Sequence, residues 1–146
     1  GEAMDEAVLM DGARNFFELC KVNGIATYIV SHKTEFAPVD EKGINLRQAA
    51  LDWMQKQGFF KEKGLGLSPE QVYFEPTREK KMERIKQLGC THFIDDLEET
   101  FLEGSFPANI DKILFAPSGQ TSRSNGIKVL KGWDEINEYF FAAGKR

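Results

Sequence analysis

Apolar positions along the chain switch between two spacings, and the switches mark out alternating helices and strands. Ala13, Phe16, Phe17 and Cys20 recur at helical spacing, and Gly24 stands where a helix would stop, which predicts a helix over residues 7–23. "GIATYIV" follows as a β-rich run without strict alternation, the pattern of a strand covered on both faces, and it ends at Ser31. Leu46, Ala49, Ala50, Trp53 and Met54 then mark one face of a second helix that Gly58 closes. "FFKEKGLGLSPEQ" is a charged, Gly-containing connection. "VYF" is a short strand, Thr77 is the expected N-cap of a third helix with Met82, Ile85 and Leu88 on its apolar face, and Gly89 ends it. "THFI" is the next strand, read as buried at Phe93 and Ile94; "LEETFLEG" is a short helix and "KILFA" a further strand. The Ser- and Gly-rich "PSGQTSRSNG" is expected to be a mobile loop. "IKVL" forms a last short strand, and Trp133, Ile136 and Phe140 line a closing helix.

Strands and helices alternating over short connections predict an α/β three-layer α/β/α sandwich around a mainly parallel sheet. Such folds place their sites at the carboxyl ends of the strands. That rule selects Ser31, Glu75, the pair Asp95 and Asp96, and Ala116.

Composition narrows the setting. The chain has 146 residues, enough for one domain with a core of its own. Charged residues are 29% of it, yet the net charge is only -4, so no overall field draws it to nucleic acid or to an anionic membrane. No apolar run approaches the roughly 20 residues of a membrane span, and "GEAMDEAVLM" is acidic where a secretory leader would be basic. A soluble cytoplasmic protein is expected. Cys20 and Cys90 sit within apolar patterns without a CxxC spacing and read as reduced, buried thiols.

The strand ends carry the candidate chemistry. Asp95 and Asp96 are hard oxygen donors of the kind that hold Mg²⁺ together with waters and a substrate phosphate. Standing alone, the pair reads more simply as Asp96 capping a helix that begins at Leu97 while Asp95 meets solvent or a nearby Lys. Lys80 and Lys81 fall in the first turn of a helix, where a cation opposes the helix dipole. Either one of them faces the strand ends or both are an exposed pair on a charged helix. Ser31 offers a hydroxyl and a backbone N–H to an anion, or serves as a plain turn residue. His92, next to Phe93, reads as a packing histidine, and two histidines without HExxH or paired cysteines make no zinc site.

Taken in order, the strand ending at Ser31 in "YIVSHKTE", the Lys near the start of a helix in "TREKKMERI" and the acidic pair after a strand in "HFIDDLEE" resemble the second, third and fourth motifs of the haloacid dehalogenase-like (HAD) hydrolase superfamily. The resemblance covers roughly residues 10–143, with "GWDEINEYF" similar to the family's closing segment. It implies a Rossmann-like fold and Mg²⁺-dependent phosphoryl transfer of the phosphatase type. Ser31 would bind the transferring phosphoryl group, Lys81 would stabilise its charge, and Asp95 with Asp96 would hold the metal. Lys81 is preferred to Lys80 because it directly precedes the apolar positions Met82 and Ile85. In the loop 32–45, His32 and Lys33 are candidate contacts to a phosphorylated substrate.

The family's first motif, DxDx[TV], supplies the nucleophile and the general acid/base, and it is absent: Asp5 lies in "AMDEAV" and Asp11 in "LMDGA". An N-terminally truncated single HAD-like core domain is one expectation, inactive alone, and a non-catalytic binding or regulatory module on a degenerate HAD fold is the other. Only Glu75 and Pro76 separate the "VYF" strand from Thr77, which leaves no room for a C2-type cap there. A phosphorelay receiver uses similar residues, but its acidic pair comes first along the chain and its Lys last, the reverse of the order here. Substrate identity is open, as is oligomeric state, a homo-oligomer included.

Overall fold

The computed structural model describes residues 6–31, 52, 54–56, 60, 66–122 and 124–142. In chain order these form α1 (Glu6–Val22), β1 (Ile29–Ser31), a 3₁₀ turn (Pro69–Gln71), β2 (Val72–Phe74), α2 (Arg78–Gln87), β3 (His92–Asp95), α3 (Glu98–Leu102), β4 (Asp111–Phe115), β5 (Ile127–Leu130) and α4 (Trp133–Phe141). Helices and parallel strands alternate, so the chain is mixed α/β. The strands make two small sheets, β1 beside β2 and the order β3-β4-β5, and every pairing is parallel. Two compact units result, residues 17–88 and residues 1–16 with 89–146. The expected second helix falls mostly outside the described residues, although 54–56 are helical and Met54 is buried.

In the unit 17–88, α1 ends where the sequence predicts, by a Schellman arrangement. Gly24 takes φ +70, its N–H donates to the Lys21 carbonyl (3.1 Å), and Ile25 N–H donates to the Cys20 carbonyl (2.8 Å). Ile25 is thereby held to the helix end, and β1 starts only at Ile29, four residues later than its apolar pattern suggests. Strands of three residues are short for a stable pair. Here Gln71 joins their starts: its amide donates to the Thr27 carbonyl and Oγ1 (both 3.0 Å) and accepts from Ser68 N–H (2.9 Å). Val72 and Ile85 are fully buried beneath this pair, and α2 packs against β1. Burial pushes the Cys20 thiol up to about 11 from its ordinary 9.0, the behaviour of a reduced cysteine in an apolar setting.

The second unit is built on β4, whose Ile113 and Leu114 are buried between flanking strands. Aromatic side chains fill the space around it. Phe16 of α1 lies 5.4 Å from both Trp133 and Phe140 of α4, and Trp133 stacks 5.3 Å from Phe115. Phe101 of α3 meets Phe106 edge-on at 5.4 Å. Burying a side chain such as Ile113 or Ile136 contributes roughly 1.5–3 kcal/mol each. β3 departs from expectation: all four of its residues are half-buried, Phe93 and Ile94 included. His92 does pack as expected, with its ring 4.8 Å from Phe140 and its Nε2 3.4 Å from Asp111 Oδ2. No helix among the described residues is long and apolar enough to cross a membrane.

Gly12 lies close against α4, because a Cβ there would lie 2.7 Å from Trp133 Cβ. Helix propensity alone favours Gly12→Ala by up to about 1 kcal/mol. The clash outweighs it, so Gly12→Ala is expected to cost about 1–3 kcal/mol, read as a lowered denaturant midpoint; a raised midpoint would contradict the packing described.

Candidate functional site

Ser31 is the last residue of β1, half-buried and opposite Phe74. Its carbonyl accepts the N–H of Glu75 at 2.8 Å, which extends the ladder one residue past β2. Glu75 is followed by Pro76, which favours extended backbone at the residue before it. Thr77 then caps α2 as expected: its Oγ1 accepts from Lys80 N–H (3.1 Å) and its carbonyl accepts from Lys81 N–H (3.0 Å).

The two lysines separate on burial. Lys80 is exposed and its Nζ lies 3.8 Å from Glu83 Oε1, with both side chains 59% exposed, a surface pair worth little. Lys81 is half-buried and directly precedes the buried Met82.

Asp95 is the last residue of β3, half-buried and opposite Leu114. Its Oδ1 accepts from Leu97 N–H at 2.9 Å. This is a turn bond two residues along the chain and not a cap: the helix starts at Glu98 rather than Leu97, its N-cap is Leu97, and no side-chain bond caps it, so the expected capping by Asp96 is not formed. Asp96 is exposed just outside the strand. Among the described residues no three or more His, Cys, Asp or Glu side chains gather as a metal site. The carboxylate oxygens of Asp95 and Asp96 are hard donors of a kind that suits Mg²⁺.

Ser31 and Lys81 belong to the unit 17–88, and Asp95 and Asp96 to the other. His32 and Lys33 lie outside the described residues. The loop 117–126, expected to be mobile, carries definite bonds: Ser122 Oγ donates to Glu98 Oε2 (2.5 Å) in the first turn of α3 and accepts from Ser124 N–H (3.1 Å). Glu98 is thus engaged beside the Asp95 strand end.

One element of the site region escapes sequence reading. Arg84 Nε donates to Glu75 Oε2 at 2.9 Å, and its guanidinium lies 4.6 Å from the centroid of the Tyr73 ring. The only sequence signal for this pair is an acid at a strand end and an Arg two turns into the following helix. Comparison with family models, with curated proteins and with solved structures yields no match for this chain.

The Asp95 bond separates two substitutions. Asp95→Asn keeps an oxygen acceptor for Leu97 N–H and is expected to leave stability within about 0.5 kcal/mol of wild type, whereas Asp95→Ala loses the bond and costs about 1 kcal/mol. Equal urea midpoints for both variants would show that the carboxylate does nothing for the turn.

Proposed function

We propose that the chain is a HAD-like hydrolase domain, of the Mg²⁺-dependent phosphatase or phosphoryl-transfer type in a protein that also carries the aspartyl nucleophile motif. A Rossmann-like three-layer sandwich without a C2-type cap, and a soluble cytoplasmic setting, are part of the same reading. The observation that carries it is the parallel pairing of β1 with β2 and of β3 with β4, which sets Ser31 and Asp95 each at the carboxyl end of a parallel strand. Carboxyl ends are where ligand sites of open α/β sheets lie.

In this reading the Ser31 hydroxyl and backbone N–H donate to the oxygens of a transferring phosphoryl group. The Lys81 ammonium offsets the charge that those oxygens carry, an electrostatic role that a half-buried cation fills better than the solvated Lys80. Asp95 and Asp96 would hold Mg²⁺, which when bound supplies Lewis-acid polarisation of the phosphoryl oxygens. Phosphoryl transfer asks little of the protein beyond such positioning and charge stabilisation. The nucleophile itself has no counterpart among the 146 residues, since no DxDx[TV] occurs in them. A phosphorylated compound is the substrate class.

A second reading, a non-catalytic binding or regulatory module on a degenerate HAD fold, draws on the bond from Leu97 N–H to Asp95 Oδ1. That bond gives an oxygen acceptor at this position a structural role without a metal.

The two readings part on activity. In a protein joining this chain to a DxDx[TV] segment, Asp95→Asn is expected to lower Mg²⁺-dependent phosphatase turnover by about 100-fold or more while the fold persists. Unchanged turnover would remove the metal role and favour the binding module.

A further inference from the structure

Glu75 is held from two sides. Its backbone N–H donates to the Ser31 carbonyl at 2.8 Å, and its carboxylate accepts from Arg84 Nε at 2.9 Å. The pair is shielded, with the Glu75 side chain 13% exposed and that of Arg84 35%. The guanidinium also lies over Tyr73, which itself meets Tyr28 with ring centroids 6.3 Å apart. A planar cation stacked on an aromatic face and bonded to a carboxylate has little freedom left.

Arg84 stands three residues after Lys81 in α2, so the two share one flank of the helix. Fixing Arg84 on Glu75 therefore sets the rotation of α2 about its axis and with it the side on which Lys81 lies. The same Glu75 continues the ladder that ends at Ser31. One residue thus couples the strand end bearing the hydroxyl to the helix bearing the ammonium, with no covalent neighbour of Ser31 involved.

We infer that Glu75 and Arg84 are positioning residues that hold Ser31 and Lys81 as one anion-binding pair. The inference rests on the phosphoryl-transfer reading of Ser31 and Lys81. Neither Glu75 nor Arg84 touches the anion: the Arg84 guanidinium is committed to a carboxylate and a ring. Their contribution is geometry, and geometry of this sort is worth a great deal, since displacement of a positioned group by about 1 Å can cost on the order of 100-fold.

The test is an NMR titration of the chain with inorganic phosphate, followed at the backbone amides of Ser31 and Lys81. Wild type is expected to show saturable shifts at both. Glu75→Gln and Arg84→Met each weaken phosphate binding by about 10-fold to 100-fold, and the double variant is no weaker than the weaker single, because both remove the same coupling. Arg84→Lys keeps a cation beside Glu75, keeps the fold, and recovers most of the affinity. Ile85→Val removes a buried methyl from the same helix; it lowers the melting midpoint and leaves phosphate affinity unchanged, which separates positioning from stability. The inference is overturned if wild type binds phosphate through Ser31 and Lys81 while both Glu75→Gln and Arg84→Met bind it equally well, or if Ile85→Val weakens it as much as they do. Absence of saturable shifts in wild type overturns the reading of Ser31 and Lys81 itself, and this inference with it.

Discussion

A parallel strand pair cannot be closed by a tight turn, so the hydrogen bonds between β1 and β2 join segments some forty residues apart in sequence and have to offset the entropy of bringing such distant segments together. Each strand has only three residues. What secures the pair lies beyond its ladder: Gln71 bonded to Thr27 at one end, and Glu75 N–H bonded to the Ser31 carbonyl at the other. The second bond matters most, because it fixes the backbone of Ser31 and, through the Glu75 carboxylate, the helix that follows. Loss of this end of the ladder would release the strand end and α2 together.

The other unit reaches a similar end by different means. Its three parallel strands are held by an apolar centre on β4 and by the aromatic groups of α1 and α4, so β3 can remain half-buried along its length. A half-buried strand end leaves the Asp95 carboxylate partly in solvent while one oxygen is ordered by Leu97 N–H. The neighbouring Ser122–Glu98 bond orders the β4–β5 loop at the same strand end.

Much of this was legible in the residues. The period of Ala13, Phe16 and Cys20, the Gly24 stop, the Thr77 cap and Gly89 with its φ of +68 after α2 are local signals, and local signals survive folding. The start of β1 was not legible: "GIATYIV" reads as a strand throughout, but the helix-ending motif claims Ile25 first. Asp95 rather than Asp96 makes the turn bond because β3 runs one residue further than "THFI", and strand ends are set by the partner strand rather than by propensity. The Glu75–Arg84 bond is a tertiary choice among many charged residues in "EPTREKKMERIK", and nothing in that run singles it out.

The proposed metal role of Asp95 and Asp96 requires that a divalent cation bind at the end of β3. Paramagnetic Mn²⁺ in place of Mg²⁺ measures that binding directly, through broadening of backbone amide resonances. Substoichiometric Mn²⁺ is expected to broaden residues 95–99, and Asp95→Asn to abolish the broadening. Resonances of residues 95–99 that stay sharp, or broadening that survives Asp95→Asn, would contradict the metal role.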